Sequence, residues 1–219
     1  MLTWCVLAAA ADGGVAPPPE PTHEVKALVE RMQAFYERTQ DFTARFRQEY
    51  LYKTFGRTAT STGVVAFKKP AQMRWEYETP SKRTFVLSGE KVYAWDPGAN
   101  TLTRASLPSS ELSSSVTFLW GKGRLLDEFS IVRAPCAECQ GALLVLTPRK
   151  TEVRFRELRL ELDAKTAQVR RSVVIDPDGS ENSITFSDLR TNVGLDKDRF
   201  VLEVPEGTQV LDAAGTPRP

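Results

Sequence analysis

Between Gly63 and Asp96 apolar and polar residues alternate almost without a break. Within Met73-Arg74-Trp75-Glu76-Tyr77 the alternation puts Met73, Trp75 and Tyr77 on one face and Arg74 and Glu76 on the other. A period of two is that of an extended strand, whose successive side chains point to opposite sides of a sheet. The same pattern recurs in most segments from 42 to 204, so the expected fold is mostly β with a few helices. It supplies more large apolar side chains on one side of a sheet than a solid core of this length needs. We read the excess as the lining of a hydrophobic cavity, with Phe42, Phe46, Phe67, Met73, Trp75, Tyr77, Phe85, Tyr93 and Trp95 as its wall. The competing reading is a well-packed β core with helices against it.

The rest of the chain is organised around these strands. Val25, Leu28, Val29, Met32, Phe35 and Tyr36 fall at i, i+3, i+4, i+7, i+10 and i+11, a full apolar stripe on a helix that Thr22 can cap. Short strands then follow over Phe42–Tyr50, Gly63–Lys68, Met73–Tyr77, Thr84–Leu87, Val92–Trp95 and Thr101–Ala105, separated by turn residues, which suggests an antiparallel meander. From Leu112 to Phe129 the pattern breaks into two short helical pieces around Gly121-Lys122-Gly123. Val116, Phe118, Leu119 and Trp120 there make an apolar insert that is a candidate lid. Strands resume at Ala142–Thr147 and Val153–Leu162, where the shift of apolar parity implies a bulge near Arg156-Glu157. Val169–Ile175, the turn Asp176-Pro177-Asp178-Gly179 and Ile184–Leu189 form a hairpin, and Phe200, Leu202 and Val204 a last strand. No internal linker appears, so one domain is expected.

Charge excludes one class of partner. Lys and Arg number 29 against 28 Asp and Glu, a net charge of +1, and the signs alternate along strands instead of forming blocks, so nucleic acid is not an expected ligand. The segment Leu2–Ala11 is short and apolar and ends in an A-x-A type of cleavage site, with a Gly/Pro-rich tether behind it. Secretion is the expectation. A lipoprotein signal at Cys5 and an ordinary cytoplasmic N-terminus are the alternatives. Cys136 and Cys139, in Pro135-Cys136-Ala137-Glu138-Cys139, lie in a loop between strands, so a structural disulfide is expected ahead of a redox motif or a metal site. A metal would need two more ligands, and the single histidine, His23, is far away in sequence.

Catalytic patterns are missing: there is no G-x-S-x-G elbow, no P-loop and no G-x-G-x-x-G. Asp127-Glu128 and Asp196 with Asp198 read as solvated charges. The expectation is a binding protein, with no enzyme activity, cofactor or metal.

The segments Asp41-Phe42-Thr43-Ala44-Arg45-Phe46-Arg47-Gln48, Gly63-Val64-Val65-Ala66-Phe67-Lys68-Lys69-Pro70, Met73-Arg74-Trp75-Glu76-Tyr77, Thr79-Pro80, Leu87-Ser88-Gly89, Tyr93-Ala94-Trp95-Asp96-Pro97 and Leu146-Thr147-Pro148, in that order and spacing, resemble the outer-membrane lipoprotein carrier family (LolA type) of Gram-negative bacteria. The likeness runs from about residue 24 to 210. It implies a single unclosed antiparallel β-barrel, a half-barrel, with a helical lid over a cavity for acyl chains. It also implies a monomeric periplasmic carrier that takes acylated lipoproteins from an inner-membrane lipoprotein-releasing ABC transporter and passes them to an outer-membrane acceptor lipoprotein. Lys69 stands where the family has a basic lid latch, expected to reach helix carbonyls or hydroxyls in the insert, such as Ser113 to Ser115. Met73 stands at the cavity mouth where the exporter engages. The division expected is a signal peptide over 1–11, a tether over 12–22, the carrier domain over 23–212 and a polar tail over 213–219. An outer-membrane acceptor or an envelope-stress sensor of the same fold is the alternative function, and a thiol oxidoreductase using Cys136 and Cys139 is a third.

Overall fold

Thr22 starts the first element: its Oγ1 accepts a hydrogen bond of 3.3 Å from the Val25 N–H, one of the donors a helix leaves orphaned in its first turn. Helix α1 then runs over His23–Arg38 and buries Val25, Val29, Met32 and Tyr36, the stripe its periodicity announces. The structure, a computed structural model, describes residues 20–106 and 123–213. The signal segment, most of the tether, the lid residues Val116, Phe118, Leu119 and Trp120, and nearly all of the polar tail lie outside the described residues.

Strands β1 (Asp41–Tyr52), β2 (Arg57–Lys68), β3 (Gln72–Thr79), β4 (Arg83–Ser88), β5 (Lys91–Asp96) and β6 (Thr101–Ser106) form one meander. After the short helix α2 (Leu125–Glu128), strands β7 (Phe129–Ala134), β8 (Gly141–Pro148), β9 (Glu157–Asp163), β10 (Val169–Ile175) and β11 (Glu181–Thr191) form a second. The two join where β1 pairs with β11, and a last strand β12 (Gln209–Asp212) adds to β6 in parallel. The result is one twelve-stranded sheet in the order β12-β6-β5-β4-β3-β2-β1-β11-β10-β9-β8-β7. It is unclosed, with β12 and β7 at its two edges, and otherwise antiparallel throughout.

Two expected strands take another form. No strand immediately precedes Glu157: Val153 is exposed while Phe155 is buried, so the parity shift marks the start of β9 and not a bulge. Phe200, Leu202 and Val204 do alternate in burial but pair with no described strand. A 3₁₀ turn over Lys197–Phe200 and the extended chain after it lie across the outer face of β3 and β4, with Phe200 buried. There Arg74 donates to the carbonyls of Arg199 and Val201 at 3.2 and 3.1 Å. Alternation reports which side is buried, and a segment resting on a sheet shows it without joining the ladder.

Asp41 fixes how this segment leaves the sheet. Its buried carboxylate accepts from the backbone N–H groups of Val193, Gly194 and Leu195 at 2.7, 3.1 and 3.0 Å, tying the chain after β11 to the start of β1. The solid part of the core lies on the other half of the molecule, where α1 and α2 pack with Phe129, Ile131, Leu144, Leu146, Leu158, Leu160 and Leu162.

Candidate functional site

The face of the sheet turned toward α1 can be read from the register. Phe42, Ala44 and Phe46 on β1 stand opposite Phe67, Val65 and Gly63 on β2, which in turn stand opposite Met73, Trp75 and Tyr77 on β3. Trp75 and Met73 stand opposite Phe85 and Leu87 on β4. Residues directly opposite share a face, so these side chains form one apolar surface. Gly63 has to be glycine: a Cβ there would lie 2.0 Å from the Glu76 carbonyl oxygen and 2.8 Å from the Phe46 ring. The ring of Phe46 takes that space and meets Trp75 and Tyr77 edge-on at centroid distances of 4.8 and 5.0 Å.

Between this surface and the second meander lies a cavity of about 270 Å³. Phe42, Val65, Met73 and Trp75 line one side, Leu158, Leu160, Val174, Ile184 and Phe186 the other, and Tyr36 of α1 roofs it. Two of its polar side chains are engaged within the protein, and Ser172 adds a hydroxyl to the lining. The Trp75 indole N–H donates to the Met73 thioether at 2.9 Å, a weak acceptor chosen in a place with few better ones. The Tyr36 hydroxyl accepts from the Val169 N–H at 3.2 Å, and burial pushes its pKa up to about 12. None of the residues lining the cavity carries a charge and nearly all are apolar, so its wall suits a predominantly apolar ligand. A second cavity, of about 310 Å³, continues the inner face beyond the Phe46 ring, with Tyr50, Tyr52, Tyr77, Phe85 and Arg83 in its lining. There the Tyr77 hydroxyl donates to Gln48 at 2.9 Å and Tyr50 to Asp176 at 2.5 Å.

Lys69, in the turn after β2, donates from Nζ to the carbonyls of Tyr36 and Glu37 at 2.8 and 2.9 Å. These belong to the last turn of α1, where helix carbonyls lack intrahelical donors and the helix dipole is negative. Burial lowers the Lys69 pKa from its ordinary 10.5, with the nearby Glu37 carboxylate opposing. The residue thus grips the helix that carries the roof of the cavity. Ser113 to Ser115, the partners expected in the insert, lie outside the described residues.

The residues named from the sequence divide. Phe42, Met73 and Trp75 line the first cavity and Tyr77 and Phe85 the second, while Phe46 and Phe67 are buried in the packing beside them. Tyr93 and Trp95 face the other way, which corrects their placement in the wall. The pairing of Ser88 with Lys91 sets Leu87 against Val92 and Phe85 against Ala94, so the even-numbered residues of β5 face inward. Tyr93 and Trp95 stand opposite Val86 and Thr84, on the outer face with Leu102. The Trp95 Nε1 is buried there with no hydrogen-bond partner. Cys136 and Cys139 are joined by a disulfide in the β7–β8 hairpin, far along the sheet from Trp75. Missed in the sequence were Tyr36, Ile184, Phe186 and Leu189. Their signal was the apolar periodicity of α1 and β11, which reads equally well as plain core. Among the described residues no cluster of His, Cys, Asp or Glu suits a metal, and no helix is long and apolar enough to cross a membrane.

A family model described as the outer membrane lipoprotein carrier protein LolA matches residues 37–203, more than half of the chain. The protein belongs to the LolA family. Among its LolA relatives, the outer-membrane lipoprotein carrier protein of Azotobacter vinelandii is 28% identical over 193 residues, covering 87% of this chain and 91% of that one. The carrier of Pseudomonas aeruginosa is 27% identical over 186 residues, covering 84% and 88%. Of solved structures, an uncharacterized conserved protein from Thermus thermophilus superposes with a TM-score of 0.55 at 12% identity, over 87% of this chain and all of the other. A structure of MucB superposes with a TM-score of 0.51 at 16% identity, over 87% and 66%. At such identities the likeness establishes the LolA-like open-barrel fold and nothing finer.

Proposed function

We propose that this LolA-family protein is a periplasmic carrier. In this reading it takes acylated lipoproteins released by an inner-membrane ABC transporter, buries their acyl chains against Phe42, Met73 and Trp75, and delivers them to an outer-membrane acceptor lipoprotein. The observation that carries the reading is the uncharged apolar cavity under Tyr36, inside the sheet of a chain whose family is named for lipoprotein carriage. The apolar segment Leu2–Ala11 supports export.

The energetics suit transfer more than storage. Burying one acyl chain of ~16 carbons at ~0.8 kcal/mol per methylene is worth roughly 13 kcal/mol gross. A carrier that gained all of it would not release its cargo. The cavity of about 270 Å³ sits below the ~300–1,000 Å³ usual for ligand pockets, because aromatic side chains occupy much of the barrel. Loading therefore exchanges one set of apolar contacts for another, and only the difference is realised. Lys69, by holding α1 over the cavity, acts in this scheme as the latch of the closed state.

The experiment is a titration of the purified protein with palmitate and with a triacylated lipopeptide, followed by tryptophan emission. Both ligands are expected to compete for one site and to change the emission of Trp75, so that Trp75→Phe abolishes the response and Trp95→Phe, on the outer face, retains it. Absence of binding by the folded protein would leave only a packed β core. Binding without transfer to an outer-membrane acceptor would favour an acceptor or sensor role.

A further inference from the structure

The sheet is interrupted between β10 and β11. Their ladder stops at Arg171 opposite Thr185, although β10 begins at Val169 and β11 continues along β1 to Thr191. Three irregularities coincide at this point. The β9–β10 register shifts between Val169 and Arg171, the β1–β11 register shifts between Thr43 and Arg45, and Asp188 has φ of +52°. Extra residues of this kind bend a strand and end its pairing. Val169-Arg170 and Phe186–Leu189 therefore flank a slot through the sheet.

The slot has an apolar inside and a polar outside. Val169, Phe186 and Leu189 line the inner cavity, and the same three line an outer groove of about 470 Å³ that also contains Gln140, Gln168, Ser187, the guanidinium groups of Arg170 and Arg171 and the carboxylates of Glu138, Glu161 and Asp188. These three residues are the wall the two have in common. On the inside, the Val169 N–H is met by the Tyr36 hydroxyl, which reaches from α1 to the edge of β10. A helix side chain thus stands where the neighbouring strand has departed, and it answers a backbone donor that burial would otherwise leave unsatisfied.

We propose that this slot is a lateral opening of the cavity, through which one acyl chain threads with its tail inside and its polar end in the groove between β10 and β11. Tyr36 is its gate. The proposal rests on the acyl-binding reading of the cavity and adds a route to it. The occupant is a single-chain amphiphile whose head is a small hydrogen-bonding group such as an acid, ester or amide, because the groove mixes guanidinium, carboxylate, amide and hydroxyl groups while the inner side is hydrocarbon but for the Tyr36 and Ser172 hydroxyls. A threaded chain displaces Tyr36 from Val169, so occupancy of the slot is communicated to α1 and to the Lys69 contacts at its C-terminal end.

The test follows the rate at which palmitate enters the full-length protein, read by Trp75 emission in rapid mixing. In a Cys5→Ser background, Ser187→Cys, on the outer lip of the slot, is modified with a bulky charged maleimide. Thr54→Cys, in the β1–β2 turn, receives the same label as a control. Entry is expected to slow several-fold with the label at 187 and not at 54. Tyr36→Phe, which keeps the ring and removes the hydroxyl, is expected to speed it. Equal rates for the two labelled proteins overturn the lateral opening while leaving the acyl-binding cavity standing. No palmitate response from the unlabelled protein overturns both. A palmitate with a photoreactive group beside its carboxylate supplies the second readout: cross-links to residues 168–171 or 185–188 support the slot, and cross-links confined to β3 and β4 refute it.

Discussion

Single side chains tie the elements of this molecule together, and each can be tested alone. Lys69 supplies two hydrogen bonds to the end of α1, and a charged hydrogen bond contributes about 1.5–3 kcal/mol. Lys69→Leu should therefore raise the open population roughly tenfold or more, so that the variant still accepts lipoprotein but releases it poorly to an acceptor. Measuring acceptance and transfer separately decides this, and equal loss of both would make Lys69 an ordinary turn residue. Asp41 is a fixed joint. Its carboxylate serves three backbone donors, and Asp41→Asn puts an N–H₂ group where an acceptor is needed. Unfolding in urea should show a loss of about 1–3 kcal/mol, with ligand binding retained in the folded fraction. The side-chain hydrogen bond from Arg154 holds Glu152 down from its ordinary 4.5 to about 2, and backbone hydrogen bonds keep Asp163 and Asp178 below their ordinary 3.8. As pH falls below about 4.5 the unfolded chain takes up these protons first, so stability present at neutral pH is lost toward pH 2. Glu152→Gln should flatten part of that acid limb in pH-dependent unfolding.

The elements show how far a period of two carries. Helix α1, with its Thr22 cap and buried stripe, and strand β10, Val169–Ile175, follow directly from the sequence, because each is bounded by unambiguous punctuation. Facing direction was less legible. Between β3 and β4 the pairing keeps odd residues inward, from Trp75 to Phe85, and between β4 and β5 it reverses them, from Phe85 to Ala94. Only the register across the turn decides this, and Tyr93 and Trp95 are apolar for a different reason from Trp75: with Val86 and Leu102 they lie on the face that the chain crosses on its way to β12. The cavity-lining role of Ile184 and Phe186 was illegible for the same cause, since β11 faces the site only after pairing with β1 from the far end of the sequence. The β7–β8 hairpin tip adds one more testable part. The Cys136–Cys139 bridge closes a short loop, and closing so short a loop is worth about 2 kcal/mol or less. Replacing both by Ser should lower the thermal midpoint slightly and leave palmitate affinity unchanged; a lost oxidoreductase activity would point instead to thiol chemistry.

At the scale of the whole molecule, two halves of unequal solidity face each other. Around α1, α2 and β7–β9 the interior is filled by aliphatic side chains, while toward β3 and β4 aromatic rings leave two cavities of about 270 and 310 Å³. Phe85 there is 37% exposed, and under the proposed acyl binding this looser half is the one expected to yield. The placement of β1 has a further consequence, in the time the chain takes to fold. The first strand lies in the middle of the finished sheet, with β2, its neighbour in sequence, on one side and β11 on the other. Residues 41–106 can assemble their meander by local pairing, but the other edge of β1, twelve residues long, stays bare until almost the entire chain has been delivered and collapsed. Such long-range closure is slow, and a long unpaired edge recruits other chains while it waits. A nascent copy of this protein is thus itself a hydrophobic, edge-exposed passenger in need of protection before it has a cavity with which to protect anything else.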